Sequence, residues 1–252
     1  MQVKDISKKV LRDHFGVCAT SGQYMIALAG NPNVGKSTVF NILTGLRQHT
    51  GNWPGKTVDN AQGTFTYKNK SYLLVDLPGT YSLLSHTVEE EIARDFLCFG
   101  RPDVTLVVLD ATCLERNLNL ALQVMEITPN VVVCVNLMDE ARKKKITIDT
   151  ESLKKELGVP VVAAAARNGE GLGELRETLH QVATGIITPN PRQIVYSDKV
   201  ENAVEKLLPS IQPFTKSRIN SRWVALRLLD GDRALIENIS LHLHLQSNLV
   251  DD

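Results

Sequence analysis

The chain carries no excess of either charge. Lys and Arg number 28 and Asp and Glu number 28 over 252 residues. That balance excludes a bulk attraction to nucleic acid, although a local basic patch stays open. Cysteine is scarce: Cys18, Cys98, Cys113 and Cys134 stand apart, with no C-x-x-C spacing. They read as buried or incidental thiols of a reducing compartment. The histidines form no metal spacing. His242 and His244 are two residues apart and would point different ways on a helix. No apolar run approaches the ~18–20 residues that cross a bilayer. The opening "MQVKDISKKVLRDHF" has no apolar h-region, so a signal peptide is not expected there. A short amphipathic helix or an ordered tail is. Internal repeats and low-complexity tracts are lacking too.

Apolar residues make up 43% of the chain, enough for a substantial core. The length suits one large domain or a domain with a small appendage. From Tyr24 to about Ile187, short apolar runs alternate with helical patterns. The runs are "YMIALAG", "GTFTYKN", "SYLLVDL", "DVTLVVLDA", "NVVVCVNLM" and "GVPVVAAAA". Nearly continuous Val and Leu is the pattern of buried parallel strands. Between them lie "VEEEIARDFLCF", "LERNLNLALQVMEI" and "ESLKKELG". The alternation predicts an α/β fold, a three-layer, mostly parallel sheet with right-handed crossovers. "TYKNKSY" predicts a hairpin with Asn69 at its tip and one antiparallel pair. At "ITPNPRQIVY" the alternation stops, and the prolines mark a linker. "SDKVENAVEKLL", "RWVALRLLD" and "DRALIENISLHL" follow with helical periodicity only. Ser197 is the expected N-cap of the first, and Gly231 separates the other two. The expected organisation is an extension over 1–23, an α/β domain over 24–188 and a small all-helical domain over 189–252.

Five stretches carry chemistry. "GNPNVGKST", Gly30 to Thr38, follows a strand and opens a helix. It fits G-x-x-x-x-G-K-[ST], the phosphate loop of P-loop NTPases. Backbone N–H groups from Asn31, Pro32's neighbours, Asn33, Val34 and Gly35 would face a polyphosphate. Lys36 would reach its β and γ groups, and Ser37 would ligate Mg²⁺. "DLPGTYSLL" comes next. Asp76 ends a strand beside that loop and can hold Mg²⁺ through water. Leu77 and Pro78 lead to Gly79, whose N–H can reach a γ-phosphate. Many GTPases place a water-orienting glutamine after this glycine; here it is Thr80. "NLMD" ends another strand: Asn136, Leu137, Met138 and Asp139. The Asp139 carboxylate can accept both N1–H and the exocyclic amine of guanine, a donor pair that adenine lacks. Leu137 stands where this motif commonly has lysine. "RQHTGNWPGKTVDN", Arg47 to Asn60, reads as a long mobile switch loop. Gly55, Lys56 and Thr57 lie in it, and Thr57 is its candidate Mg²⁺ and γ-phosphate ligand, against the alternative of a strand-start threonine. Trp53 reads as a conformational contact, with a core anchor as the other reading. "AAAARNGEG" places Ala165, Ala166 and Arg167 after the last strand. The Ala166 N–H can meet guanine O6, or the alanines are filler at a strand end.

With these motifs in order, the chain resembles a TRAFAC-class GTPase of Ras-like fold. More narrowly, it resembles the N-terminal cytosolic part of the ferrous iron transport protein B (FeoB) family. The match is carried by "GNPNVGKSTVFNILTG", "GNWPGKTVD", "DLPGTYSL", "NLMDE" and, in the helical tail, "RWVALRLLDGD". The resemblance implies a Mg²⁺-dependent GTPase domain followed by a helical domain that favours the GDP-bound state. It implies a membrane-embedded permease domain of the same full-length chain as partner, on the cytoplasmic side of the bacterial inner membrane. The present chain is then a soluble fragment of a longer protein. It also implies an answer to the missing glutamine: K⁺, held by Asn33 and switch backbone carbonyls, stimulates hydrolysis. Asn33 has a second reading, as a brace of its own loop. Family members often have Ser or Thr before the alanine of the fifth motif, where Ala164 and Ala165 stand here. The catalytic set is therefore Lys36, Asn33, Thr57 and Gly79.

Two rival readings stay beside this one. An RNA- or ribosome-associated GTPase is disfavoured by zero net charge and by the want of an RNA-binding module after residue 190. A GTP sensor with little turnover is compatible with Thr80. No nucleic-acid partner is expected, and a homo-oligomer is left open.

Overall fold

The computed structural model describes residues 15–17, 19–45, 48–84, 87–215, 219–231, 235 and 238–239. Met1 to His14, Cys18, Arg47, His242 and His244 lie outside these residues, as does most of "DRALIENISLHL". The chain divides into two compact units between Arg192 and Gln193. Asn190 and Arg192 donate backbone N–H bonds to Gly158 and Leu157, so the chain stays with the first unit through Arg192.

The first unit is built on a seven-stranded sheet. Its strands are β1 Tyr24–Gly30, β2 Gln48–Asn52, β3 Asp59–Tyr67, β4 Lys70–Asp76, β5 Val104–Asp110, β6 Val131–Asn136 and β7 Val161–Ala163, in the order β2-β3-β4-β1-β5-β6-β7. The four central strands β4, β1, β5 and β6 run parallel. All six residues of β6 and the first six of β5 are buried, as expected for strands covered on both faces. Polar residues appear at the strands' C-terminal ends: Asp76 on β4, Asp110 on β5 and Asn136 on β6. The register pairs Leu28 with Asp76 and Asp110 with Asn136, which aligns those ends along one edge, where ligands bind in such sheets.

Among the described residues, six helices connect or flank the strands of this unit: α1 Lys36–Thr44, α2 Val88–Asp95, α3 Leu114–Ile127, α4 Met138–Lys143, α5 Thr150–Leu157 and α6 Leu172–Ala183. Local chemistry fixes several ends. The Thr87 hydroxyl accepts from the Glu90 N–H and caps α2, and the Asp149 carboxylate does the same for α5 from Ser152. Each such cap is worth about 1 kcal/mol. Beyond α2 the chain widens into a buried π turn, Phe96–Gly100.

The β3–β4 turn is the expected hairpin, with a two-residue loop. Lys68 and Asn69 both adopt positive φ, 45° and 59°, between the paired Tyr67 and Lys70, the geometry that matches strand twist. Two expectations need correction. The sheet has two antiparallel pairs where one was expected, because β2 pairs with β3 from Gln48↔Gly63 to Asn52↔Asp59. The stretch expected to be one long mobile loop is therefore mostly hairpin, and only Trp53–Val58 forms a turn. Its ends are closed by Trp53 N–H to Val58 O, 2.9 Å. "QHTGN" has no apolar alternation, so periodicity could not reveal an edge strand held by backbone pairing. Trp53 is also corrected. It is a core residue, 2% exposed, packed edge-on to Phe96 at 5.4 Å. The flanking glycine and proline suggested an exposed loop, but the side chain turns inward over the π turn.

The second unit is helical, with α7 Asp198–Thr215 and α8 Ser221–Asp230. Ser197 contributes its carbonyl, which accepts from Val200 and Glu201. The Asn220 side chain caps α8 from Arg222 and Trp223, and Gly231 ends it. Cys98 and Cys134 are buried and Cys113 is exposed.

Candidate functional site

The site begins where β1 hands over to α1. Gly30 ends β1, and the loop to Gly35 turns back so that α1 starts at Lys36. Asn33 takes positive φ, 66°, and is exposed. Gly35 has φ 83°, and a Cβ there would lie 2.4 Å from the Asn136 amide nitrogen. Only glycine satisfies both the backbone and that approach. Val34 is buried, Ser37 is exposed, and Pro32 and Thr38 are half-buried. Asn31 is 2% exposed, and its amide finds no hydrogen-bond partner among the described residues.

Lys36 Nζ forms an ion pair with the Asp76 carboxylate and donates to the Leu77 carbonyl at 2.6 Å. Burial raises the Asp76 carboxyl above the ordinary aspartate range, and Lys36 beside it opposes that shift. The strand after Asp76 continues along β1: Leu77 N–H bonds Leu28 O at 2.9 Å and Thr80 N–H bonds Gly30 O at 3.3 Å. Pro78 and Gly79 are thereby held against the phosphate loop, and a Cβ on Gly79 would touch Pro32 at 3.4 Å. The Thr80 hydroxyl is used locally. It bonds the Ser82 carbonyl and accepts from the Ser82 N–H, and Thr80 is 4% exposed.

The other half of the edge is organised by Asn136. Its Nδ2 donates to Val34 O at 3.0 Å, and its Oδ1 accepts from the Ala166 N–H at 3.0 Å. One buried amide thus joins the phosphate loop, β6 and the loop after β7. Leu137 takes positive φ, 62°, and Met138 N–H bonds Ala164 O. Asp139 follows in the first turn of α4, and its Oδ2 accepts a long bond, 3.4 Å, from Asn168. Ala165 and Ala166 are buried, and Arg167 is exposed. The Ala166 N–H, expected to meet a base, here bonds the Asn136 amide oxygen at the end of β6, the strand next to β7.

Thr57 is exposed in the Trp53–Val58 turn, and its hydroxyl forms no hydrogen bond among the described residues. Gly55 adopts positive φ, and Lys56 pairs with Glu91 at 3.1 Å. So Lys36, Asp76, Gly79, Asn136 and Ala166 are brought to one edge, whereas Thr57 stays on its hairpin. One contributor escaped sequence reading: Gln123 of α3 accepts from the Leu83 N–H at 2.7 Å, which holds the stretch after Thr80. A glutamine on an amphipathic helix gives no signal of that role.

The geometry agrees with comparison against known proteins. The family model for ferrous iron transport protein B matches residues 24–179, and that for the FeoB cytosolic helical domain matches 196–251. The chain belongs to the FeoB family. A curated relative, the Fe(2+) transport protein A/Fe(2+) transporter FeoB fusion protein of Porphyromonas gingivalis, is 40% identical over 216 residues, covering 83% of this chain and 25% of the relative. The chain thus spans about a quarter of such relatives' length. The cytosolic domain of the T. maritima FeoB iron transporter in apo form superposes with TM-score 0.78 at 39% identity, covering 87% of this chain and 86% of that one. Its GMPPNP form gives TM-score 0.75 at 38% identity, with the same coverage.

As a FeoB-type G domain, the chain has a P-loop GTPase fold followed by a helical domain. Among the described residues no helix is long and apolar enough to cross a membrane. The donors at the sheet edge suit Mg²⁺. Asp76 offers a half-buried carboxylate and Ser37 an exposed hydroxyl, and both are hard oxygen donors. Asn33 offers an exposed amide oxygen, which suits K⁺.

Proposed function

We propose that this chain is the GTP-binding and GTP-hydrolysing regulatory domain of a bacterial ferrous iron transporter. It would act as a slow, cation-stimulated switch on the cytoplasmic face of the inner membrane, coupled to a permease domain of the same full-length protein. The observation that carries the reading is the Asn136 bridge. It ties the phosphate loop to the loop beside Asp139, so the phosphate end and the base end of one nucleotide site belong to one rigid edge. The RNA-associated reading is not favoured, because both units match FeoB models.

In this reading Lys36 exchanges the Asp76 carboxylate and Leu77 carbonyl for the β and γ phosphates. Gly79 N–H donates to the γ-phosphate, and Asp139 reads guanine. Ser37, Asp76 and Thr57 would hold Mg²⁺, and Asn33 would hold K⁺; bound there, the cations neutralise charge developing on the phosphate oxygens. Thr80 orients no water. Its hydroxyl already closes a turn with Ser82, and backbone groups of the switches do the positioning.

Single-turnover GTP hydrolysis in K⁺ and in Na⁺ tests this. Wild type should be faster in K⁺. Asn33→Ala should erase the difference and leave GDP affinity nearly intact. Thr80→Ala should cost well under the ~10²-fold expected when a true transition-state donor is lost. Equal rates in the two cations would refute the K⁺ role of Asn33, and no turnover above background in either would leave a GTP sensor.

A further inference from the structure

The residues just ahead of the family match, which begins at residue 24, pack beneath the turn that carries Thr57. Phe15 is 8% exposed. Its ring stands edge-on to Trp53 at 6.4 Å and to Phe96 at 5.4 Å. With the Trp53–Phe96 contact this closes a three-ring cluster between the N-terminal segment, the switch hairpin and the π turn after α2. The backbone joins in, because Gly16 O accepts from Gln62 Nε2 of β3 at 2.8 Å. Gly16 has φ 65°, and a Cβ there would lie 3.2 Å from Pro54 Cγ. The strap therefore needs glycine both for its conformation and for its closeness to the turn. Val17 beyond it is 1% exposed.

We propose that Phe15 and Gly16 are positioning residues for the Trp53–Val58 turn, acting through Trp53 to hold it in the closed hairpin and so to oppose the triphosphate-bound state. In the closed hairpin Thr57 is exposed with its hydroxyl unbonded, and Lys56 is tied to Glu91 on α2. Bringing Thr57 to a triphosphate requires the turn to leave, and Trp53 sits at its first residue. The pocket is one that Trp53 can leave. Its buried indole N–H finds no acceptor among the described residues, a desolvation cost that exposure would relieve. The effect on nucleotide choice rests on the reading of Thr57 above; the effect on Trp53 does not.

The test uses the whole chain in a Trp223→Phe background, since Trp53 and Trp223 are its two tryptophans. Phe15→Ala should make Trp53 severalfold more quenchable by acrylamide with GDP bound. It should raise the ratio of GMPPNP to GDP affinity by about two- to tenfold, the scale of the one edge-to-face contact with Trp53 that the departing turn gives up. Phe15→Leu should restore most of the wild-type behaviour. If Phe15→Ala does not fold, Gly16→Ala, which strains the strap, should shift both readouts the same way. A variant that lowers the melting temperature but leaves Trp53 quenching unchanged overturns the proposal. So does increased quenching with an unchanged affinity ratio, provided that Thr57→Ala shifts the ratio. If Thr57→Ala leaves the ratio alone, the Mg²⁺ reading of Thr57 has failed, and quenching by itself decides the strap.

Discussion

In the proposed reading Asp139, at the start of α4, offers guanine its carboxylate; Asn168 donates a long bond to one of its oxygens. Removing the charge while keeping the shape is the direct test. Asp139→Asn should weaken GTP and GDP together by ~10²–10⁴-fold, the loss of two hydrogen bonds to a charged acceptor. Competition titrations with fluorescent GDP measure it, and ATP competing with wild type as well as GTP does would overturn the assignment. The strand–loop–helix turn was legible because its spacing is itself the signal: Gly30 ends β1, and Gly35, Lys36 and Ser37 open α1. Partnerships were not. Nothing local announces that Asn136 reaches Val34, 102 positions earlier, or that it takes the Ala166 N–H. The Lys36–Asp76 pair is likewise a product of folding. The β4–β1 register sets Asp76 opposite Leu28, at the sheet edge where Lys36 pairs with it.

At the scale of elements, buried strands and amphipathic helices were the readable part, because a period of 2 or 3.6 records which face is covered. "LERNLNLALQVMEI" is α3 from end to end. β2 escaped because an edge strand with polar side chains has no covered face to record. Trp53 escaped because its pocket is assembled from Phe15 and Phe96, both distant in sequence. In the helical unit an ion pair joins the two described helices. Arg222 of α8 lays its guanidinium across the Glu201 carboxylate of α7, at 2.6 and 2.7 Å. That fork, with the Tyr196 N–H, pulls the Glu201 carboxyl down to about 2. A carboxyl lowered on folding contributes stability that is present above its ordinary value and lost as pH falls toward the folded one. The stability gap between wild type and Glu201→Gln should therefore be constant above about pH 5 and close between there and about pH 2. Urea melts followed by circular dichroism check it. A gap that widens on acidification would mean that Glu201 is not the group responsible.

For the whole molecule, the division at Arg192 separates the candidate nucleotide site from the helices. Every site residue named above lies before that point, and Arg192 itself bonds back to Leu157. The sheet core that aligns Asp76 and Asn136 lies before it as well. A chain ending at Arg192 should then fold, bind guanine nucleotides and reject ATP. What it should lose is the bias of the nucleotide cycle. In the FeoB reading the helical domain favours the GDP-bound state, so it adds a coupling free energy to GDP that is missing for the triphosphate. Couplings of this kind amount to about 5–150-fold in affinity. GDP should leave the shortened chain at least about fivefold faster, while GMPPNP dissociation changes little. Stopped-flow release of fluorescent GDP and GMPPNP from the two chains measures both rates. Equal acceleration of the two nucleotides would mean that the helices only stabilise the fold. No acceleration of either would leave the helical unit without a part in the switch, and the bias toward GDP would then have to arise within the first unit, at the turn that Phe15 and Trp53 hold closed.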